Sequence, residues 1–163
     1  MKVLIVCFSG ISNVASIVPL LDSLHRNYPQ HQFTLLSRSF LSPLFASFER
    51  VEFVGADIRK KHKGVLGAFK LFNQLKNAKF DVVFDLQGSC RSQLIGCLFK
   101  LSGKHVHTLD KQKHETYQLI HRGADKYKPL KTIFDRYSEV FAKVGLKTDD
   151  EFAKLPSASM ECR

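Results

Sequence analysis

No run in this sequence approaches the ~20 apolar residues of a membrane-spanning helix. The first apolar stretch is too short, and too soon followed by polar residues, to read as a signal peptide. A soluble, cytoplasmic chain is therefore expected. The four cysteines, Cys7, Cys90, Cys97 and Cys162, include no Cys-x-x-Cys pair. They are expected to be reduced thiols in or near the core, and no metal site is expected from them. His105, His107, His114 and His121 lack ligand spacing beside carboxylates. No internal repeat or low-complexity segment is present. Acidic residues are scarce: 15 Asp and Glu stand against 25 Lys and Arg, a net charge of +10. Such an imbalance points to an acidic partner, either phosphate-bearing glycolipid, nucleic acid or an anionic membrane surface. No aromatic ladder interleaves the basic clusters, which makes a nucleic-acid partner the weakest of the three.

What is present is a regular β-α alternation within 163 residues, the size of one domain. Lys2 to Phe8 reads as a buried parallel strand. Ser9-Gly10-Ile11-Ser12 breaks it, and from Asn13 to Tyr28 the apolar period becomes helical. Val14, Ile17, Val18, Leu21, Leu24 and Tyr28 would face inward, with Ser12 or Asn13 as N-cap. Strands follow at Gln32–Ser37, Val51–Val54, Phe80–Leu86 and, weakly, Lys104–His107. Helices are expected at 40–48, 65–77 (Leu66, Phe69, Phe72 and Leu75 inward), 91–101 (Leu94, Ile95, Leu98 and Leu101 inward) and 130–144. The pattern predicts a Rossmann-like, doubly wound parallel sheet in the order 3-2-1-4-5, with strands one and four at its centre. Residues 1–146 form the domain, and 147–163 read as a frayed tail or a linker.

In such folds ligands lie at the carboxyl ends of the strands. Three stretches fall there. Ser9, Gly10, Ser12 and Asn13 form a small-residue turn able to offer N–H groups to a phosphate or sugar hydroxyl. With Gly10 alone it is not a Gly-x-Gly-x-x-Gly fingerprint, so no dinucleotide cofactor is expected. Asp85, Gln87 and Arg91 flank the same crevice, and the Arg91 guanidinium can present a fork of donors to an anion. Asp85 equally reads as a helix cap. The third stretch is basic: Lys60, Lys61 and Lys63 after strand three, then Lys111 and Lys113 after strand five.

Together these stretches resemble glycosyltransferase family 9, the lipopolysaccharide heptosyltransferases. Phe8-Ser9-Gly10-Ile11-Ser12-Asn13-Val14 stands where that family typically has Phe-Ser-Ser-Ile-Gly-Asp-Val. Phe80-Asp81-Val82-Val83-Phe84-Asp85-Leu86-Gln87-Gly88, with Arg91-Ser92 beyond, is similar to its Tyr-Asp-Leu-Val-Ile-Asp-Leu-Gln-Gly. The resemblance implies the N-terminal half of a two-domain GT-B fold. It further implies a metal-free inverting transfer of heptose from ADP-heptose to the phosphorylated lipopolysaccharide core, at the inner face of the cytoplasmic membrane. The donor site would lie in a C-terminal domain, expected to be missing here or supplied by a partner chain. An exposed face would then invite self-association. Asn13 occupies the position of the family's Asp base, and an amide cannot take the acceptor's proton. The chain is therefore expected to be inactive alone. The alternative is a non-catalytic module that binds glycolipid or another polyanion.

Overall fold

The computed structural model describes residues 1–46, 51–110 and 131–149. Its centre is β1 (Lys2–Val6), paired in parallel with β2 (Gln32–Arg38) on one side and β4 (Val82–Asp85) on the other. β3 (Val51–Ala56) extends the sheet beyond β2, and β5 (His105–Thr108) extends it beyond β4. The order β3-β2-β1-β4-β5 and the parallel pairing are those the sequence predicts.

The alternation of side chains along β1 divides the interior into two layers. Val3, Ile5 and Cys7 pack with α1 (Ile11–Ala15), α2 (Ile17–Asn27) and α5 (Ile133–Ala142). Leu4, Val6 and Phe8 pack with α3 (Gly64–Leu75) and α4 (Cys90–Leu101). With both faces covered, β1 is apolar throughout its buried length, as a central parallel strand must be.

Several local expectations are corrected. The single helix expected from Asn13 is broken at Ser16 into α1 and α2. Pro19 is the cause: it has no N–H to donate, and its ring would meet the carbonyl of Ala15, four residues back. Gly10, not Ser12 or Asn13, is the N-cap, and it makes no side-chain cap bond. Residues 39–45 form a 3-10 turn rather than an α-helix. On α3 the buried residues are Gly67, Ala68, Leu71 and Leu75, whereas Leu66 and Phe69 point outward at 84% and 44% exposure. On α4, Ile95 and Phe99 are buried and Leu101 is exposed. Phe99 meets Phe72 and Phe80 edge-on, with ring centroids 5.0 and 6.2 Å apart. Cys7 is buried as expected, but Cys90 and Cys97 are exposed. Beyond Leu146, residues 147–149 are tied to α2: the Lys147 N–H donates to Tyr28 Oη at 2.9 Å and the Asp149 N–H to Ser23 Oγ at 2.7 Å.

The face α3 buries is decided by a close approach. A Cβ on Gly67 would lie 2.1 Å from the carbonyl carbon of His62, so the helix can rest on the preceding loop only without a side chain there. Gly67→Ala is expected to destabilise the domain by about 1–3 kcal/mol, the usual cost of overpacking, despite alanine's better helix propensity. Urea denaturation measures this, and equal or greater stability would mean that the loop yields.

Candidate functional site

The carboxyl edge of the sheet is shaped by one turn. Asp85 closes β4 fully buried, and its Oδ1 accepts the backbone N–H groups of Gln87 at 3.0 Å and Gly88 at 2.8 Å. Gly88 has φ +59°, a left-handed conformation that glycine adopts without steric cost. Ser89 then caps α4 in a reciprocal box with Ser92: each side-chain oxygen accepts the other's backbone N–H. The cap expected of Asp85 is thus made by Ser89, and Asp85 holds the turn before it. Gln87 is fixed in turn, its Oε1 accepting the Phe8 N–H at 3.0 Å and so tying β4's turn to the end of β1.

Above this turn lies a cavity of about 430 Å³, lined by Phe8, Ile58, Val65 and Leu94 on its apolar side. Arg38, Gln87, Ser89 and Arg91 supply the polar groups, with Cys90 at the start of α4. The Nε atoms of Arg38 and Arg91 are buried without a hydrogen-bond partner. Two guanidinium groups with uncommitted donors beside an apolar wall suit an anionic group carried on a ring or chain. A second depression of about 390 Å³ shares Arg38 and Ile58 and continues to Phe40, Asp57 and Arg59.

The basic loop beside it is built, not loose. Asp57 Oδ1 accepts the N–H groups of Arg59 at 3.2 Å and Lys60 at 3.1 Å. His62 is buried, its N–H donates to Asp57 O at 2.8 Å, and its Nδ1 accepts the Asp57 N–H at 3.2 Å. Burial, with Lys61 and Lys70 nearby, holds the His62 imidazole below its usual pKa, in keeping with Nδ1 as an acceptor. Lys60, Lys61 and Lys63 are left exposed around the start of α3.

Of the residues the sequence nominates, Gln87 and Arg91 meet in the cavity. Asp85 supports it from below. Ser9 is half-buried after β1 and does not line the cavity. Gly10, Ser12 and Asn13 are exposed at the end of β1 and do not line the cavity. Lys111 and Lys113 lie outside the described residues. Arg38 and Ser89 were not nominated. Arg38 is the one cation within the apolar run of β2, and its place at that strand's carboxyl end was the available signal. Among the described residues, no group of three or more His, Cys, Asp or Glu could hold a metal ion.

No known family pattern matches this chain, and no curated protein sequence is significantly similar to it. Solved structures are. A family 9 glycosyltransferase from Veillonella parvula superimposes with a TM-score of 0.65 at 15% identity, over 90% of this chain and 42% of that one. The E. coli heptosyltransferase WaaC, solved with ADP, gives 0.66 at 22% identity, over 91% of this chain and 49% of that one. A UDP-N-acetylglucosamine 2-epimerase gives 0.51 at 16% identity over 86% of this chain. The fold is therefore that of one half of a GT-B glycosyltransferase, and the resemblance read from the motifs extends to the architecture. This chain spans less than half the length of these structures.

Proposed function

We propose that this chain is the acceptor-side domain of a heptosyltransferase-like glycosyltransferase. It takes a phosphorylated saccharide or glycolipid acceptor of the lipopolysaccharide-core type at the carboxyl edge of its sheet. The reading rests on one observation above the rest: the cavity beside Gln87 holds two arginines whose Nε donors are buried and unused, within a domain of GT-B architecture. Arg38 and Arg91 grip the anionic group, Gln87 and Ser89 orient hydroxyls, and Phe8, Ile58 and Leu94 receive the apolar face of the ring. Lys60, Lys61 and Lys63 attract the remaining phosphates, with an attraction that salt screens over ~8 Å at physiological ionic strength. The work is done in the cytoplasm, at the inner face of the membrane that carries the acceptor. Donor binding belongs to the other half of a GT-B fold, outside these 163 residues. Transfer of heptose from ADP-heptose by these 163 residues alone is not expected, because Asn13 carries no base.

The second reading, a non-catalytic glycolipid- or polyanion-binding module, has Asn13 itself in its favour. Both readings require the cavity to bind an anionic saccharide. Calorimetric titration with a phosphorylated lipid A–core fragment tests that requirement. A hydrogen bond to a charged group contributes about 1.5–3 kcal/mol. Arg38→Gln and Arg91→Gln are each expected to weaken binding by about ten- to a hundredfold. In the unaltered chain the fragment should also slow alkylation of Cys90, in the cavity wall, and not of Cys97. Unchanged affinity in both variants would remove the cavity from the site.

A further inference from the structure

Helix α3 opens with an apolar surface that the domain leaves uncovered. Val65, Leu66 and Phe69 are 59%, 84% and 44% exposed, although the residues buried on the same helix already satisfy its packing. At 100° per residue these three occupy one side of the first turns, opposite Gly67, Ala68, Leu71 and Leu75. Arg59, Lys60, Lys61 and Lys63, in the loop that leads into α3, and Lys70, on the helix itself, are all exposed. The acidic residue of the preceding loop, Asp57, is turned onto the backbone of Arg59 and Lys60. The result is a small apolar tip next to a run of cations, on a helix whose Gly67 lies close against the His62 backbone.

We infer that this tip docks the domain on an anionic lipid bilayer. Leu66 and Phe69 enter the interfacial layer while the lysines meet lipid phosphates. Charge complementarity selects this occupant. A second copy of the chain would bring its own net charge of +10 against the same cations. An apolar partner surface would leave these lysines without counter-charges. Val65 belongs both to the tip and to the cavity wall, so docking sets the cavity mouth at the headgroup layer. The docking itself stands independently of the saccharide reading, because it needs only lipid.

The test is flotation of the purified chain with vesicles free of any glycolipid, either pure phosphatidylcholine or phosphatidylcholine with about one-third phosphatidylglycerol. The chain is expected to float with the anionic vesicles and not with the neutral ones. Each lysine near such a surface is worth about 1 kcal/mol, so Lys70→Ser should lower the partition about fivefold. The double variant Leu66→Ser, Phe69→Ser should lower it at least tenfold. Both positions are exposed, so its circular dichroism melt and its binding of the phosphorylated saccharide should match those of the unaltered chain. Equal flotation of the double variant, or equal flotation with neutral vesicles, would overturn the inference. So would a dimer in sedimentation analysis that the double variant abolishes, which would give the tip to a second copy. Lost saccharide binding with retained flotation would count against the cavity alone and would leave the docking supported.

Discussion

Asn13→Asp is expected to raise ADP release from ADP-heptose by about 10²–10⁴ over the unaltered chain, when a C-terminal donor-binding domain and a lipid A–core acceptor are supplied in trans. Asn13 is exposed in α1, with no cap to make at the helix start. The substitution therefore removes no structural bond, and any change in rate reports on chemistry. An amide can orient an acceptor hydroxyl, but only a carboxylate in its place can accept the proton as that oxygen attacks the sugar. Without the donor domain the variant should stay inactive, because the donor is then not positioned at all. Equal rates for both chains in the complemented system would mean that position 13 is not where the base belongs.

The second large effect is on folding. Asp85→Ala is expected to cost about 2–4 kcal/mol in urea unfolding, with saccharide binding at the cavity lost at the same time. Two charge-assisted hydrogen bonds to Gln87 and Gly88 disappear, each worth about 1.5–3 kcal/mol. Part of that is returned because a buried carboxylate, whose Oδ2 has no partner, no longer needs to be desolvated. With the turn released, Gln87 no longer holds the Phe8 N–H, and the cavity loses its polar floor. A loss of binding with full stability would instead place Asp85 in contact with the ligand.

The sheet was legible because its strands are continuous apolar runs bounded by small residues, and because β-α alternation admits few topologies. The helix faces were not. α3 and α4 are apolar around most of their circumference, so periodicity offered two faces where packing could use one. Gly67 against His62, and Gly96 with its prospective Cβ 3.2 Å from Val106, made the choice through close approach, which a hydropathy pattern does not record. Half of the candidate site was readable for a related reason. Gln87 and Arg91 sit within one short stretch, whereas Arg38 reaches the cavity from the end of β2, across the sheet. The break at Ser16 was readable in principle, since Pro19 stood in the expected helix.

The position of β1 also dictates the order in which this domain can assemble. Its β2 edge is paired within the first forty residues, but its other edge must wait for a strand far along the chain: Phe8 and Gln87, joined at the site, are 79 residues apart. During synthesis the most apolar strand of the molecule emerges long before its second neighbour. Until β4 arrives it presents an open parallel edge, the feature that makes nonlocal sheets slow to fold and prone to pair with the wrong chain. The turn at Asp85 follows directly on the strand that closes that edge. The site is thus completed only as the sheet is sealed, and a nascent chain stalled before β4 would hold the basic loop without the cavity.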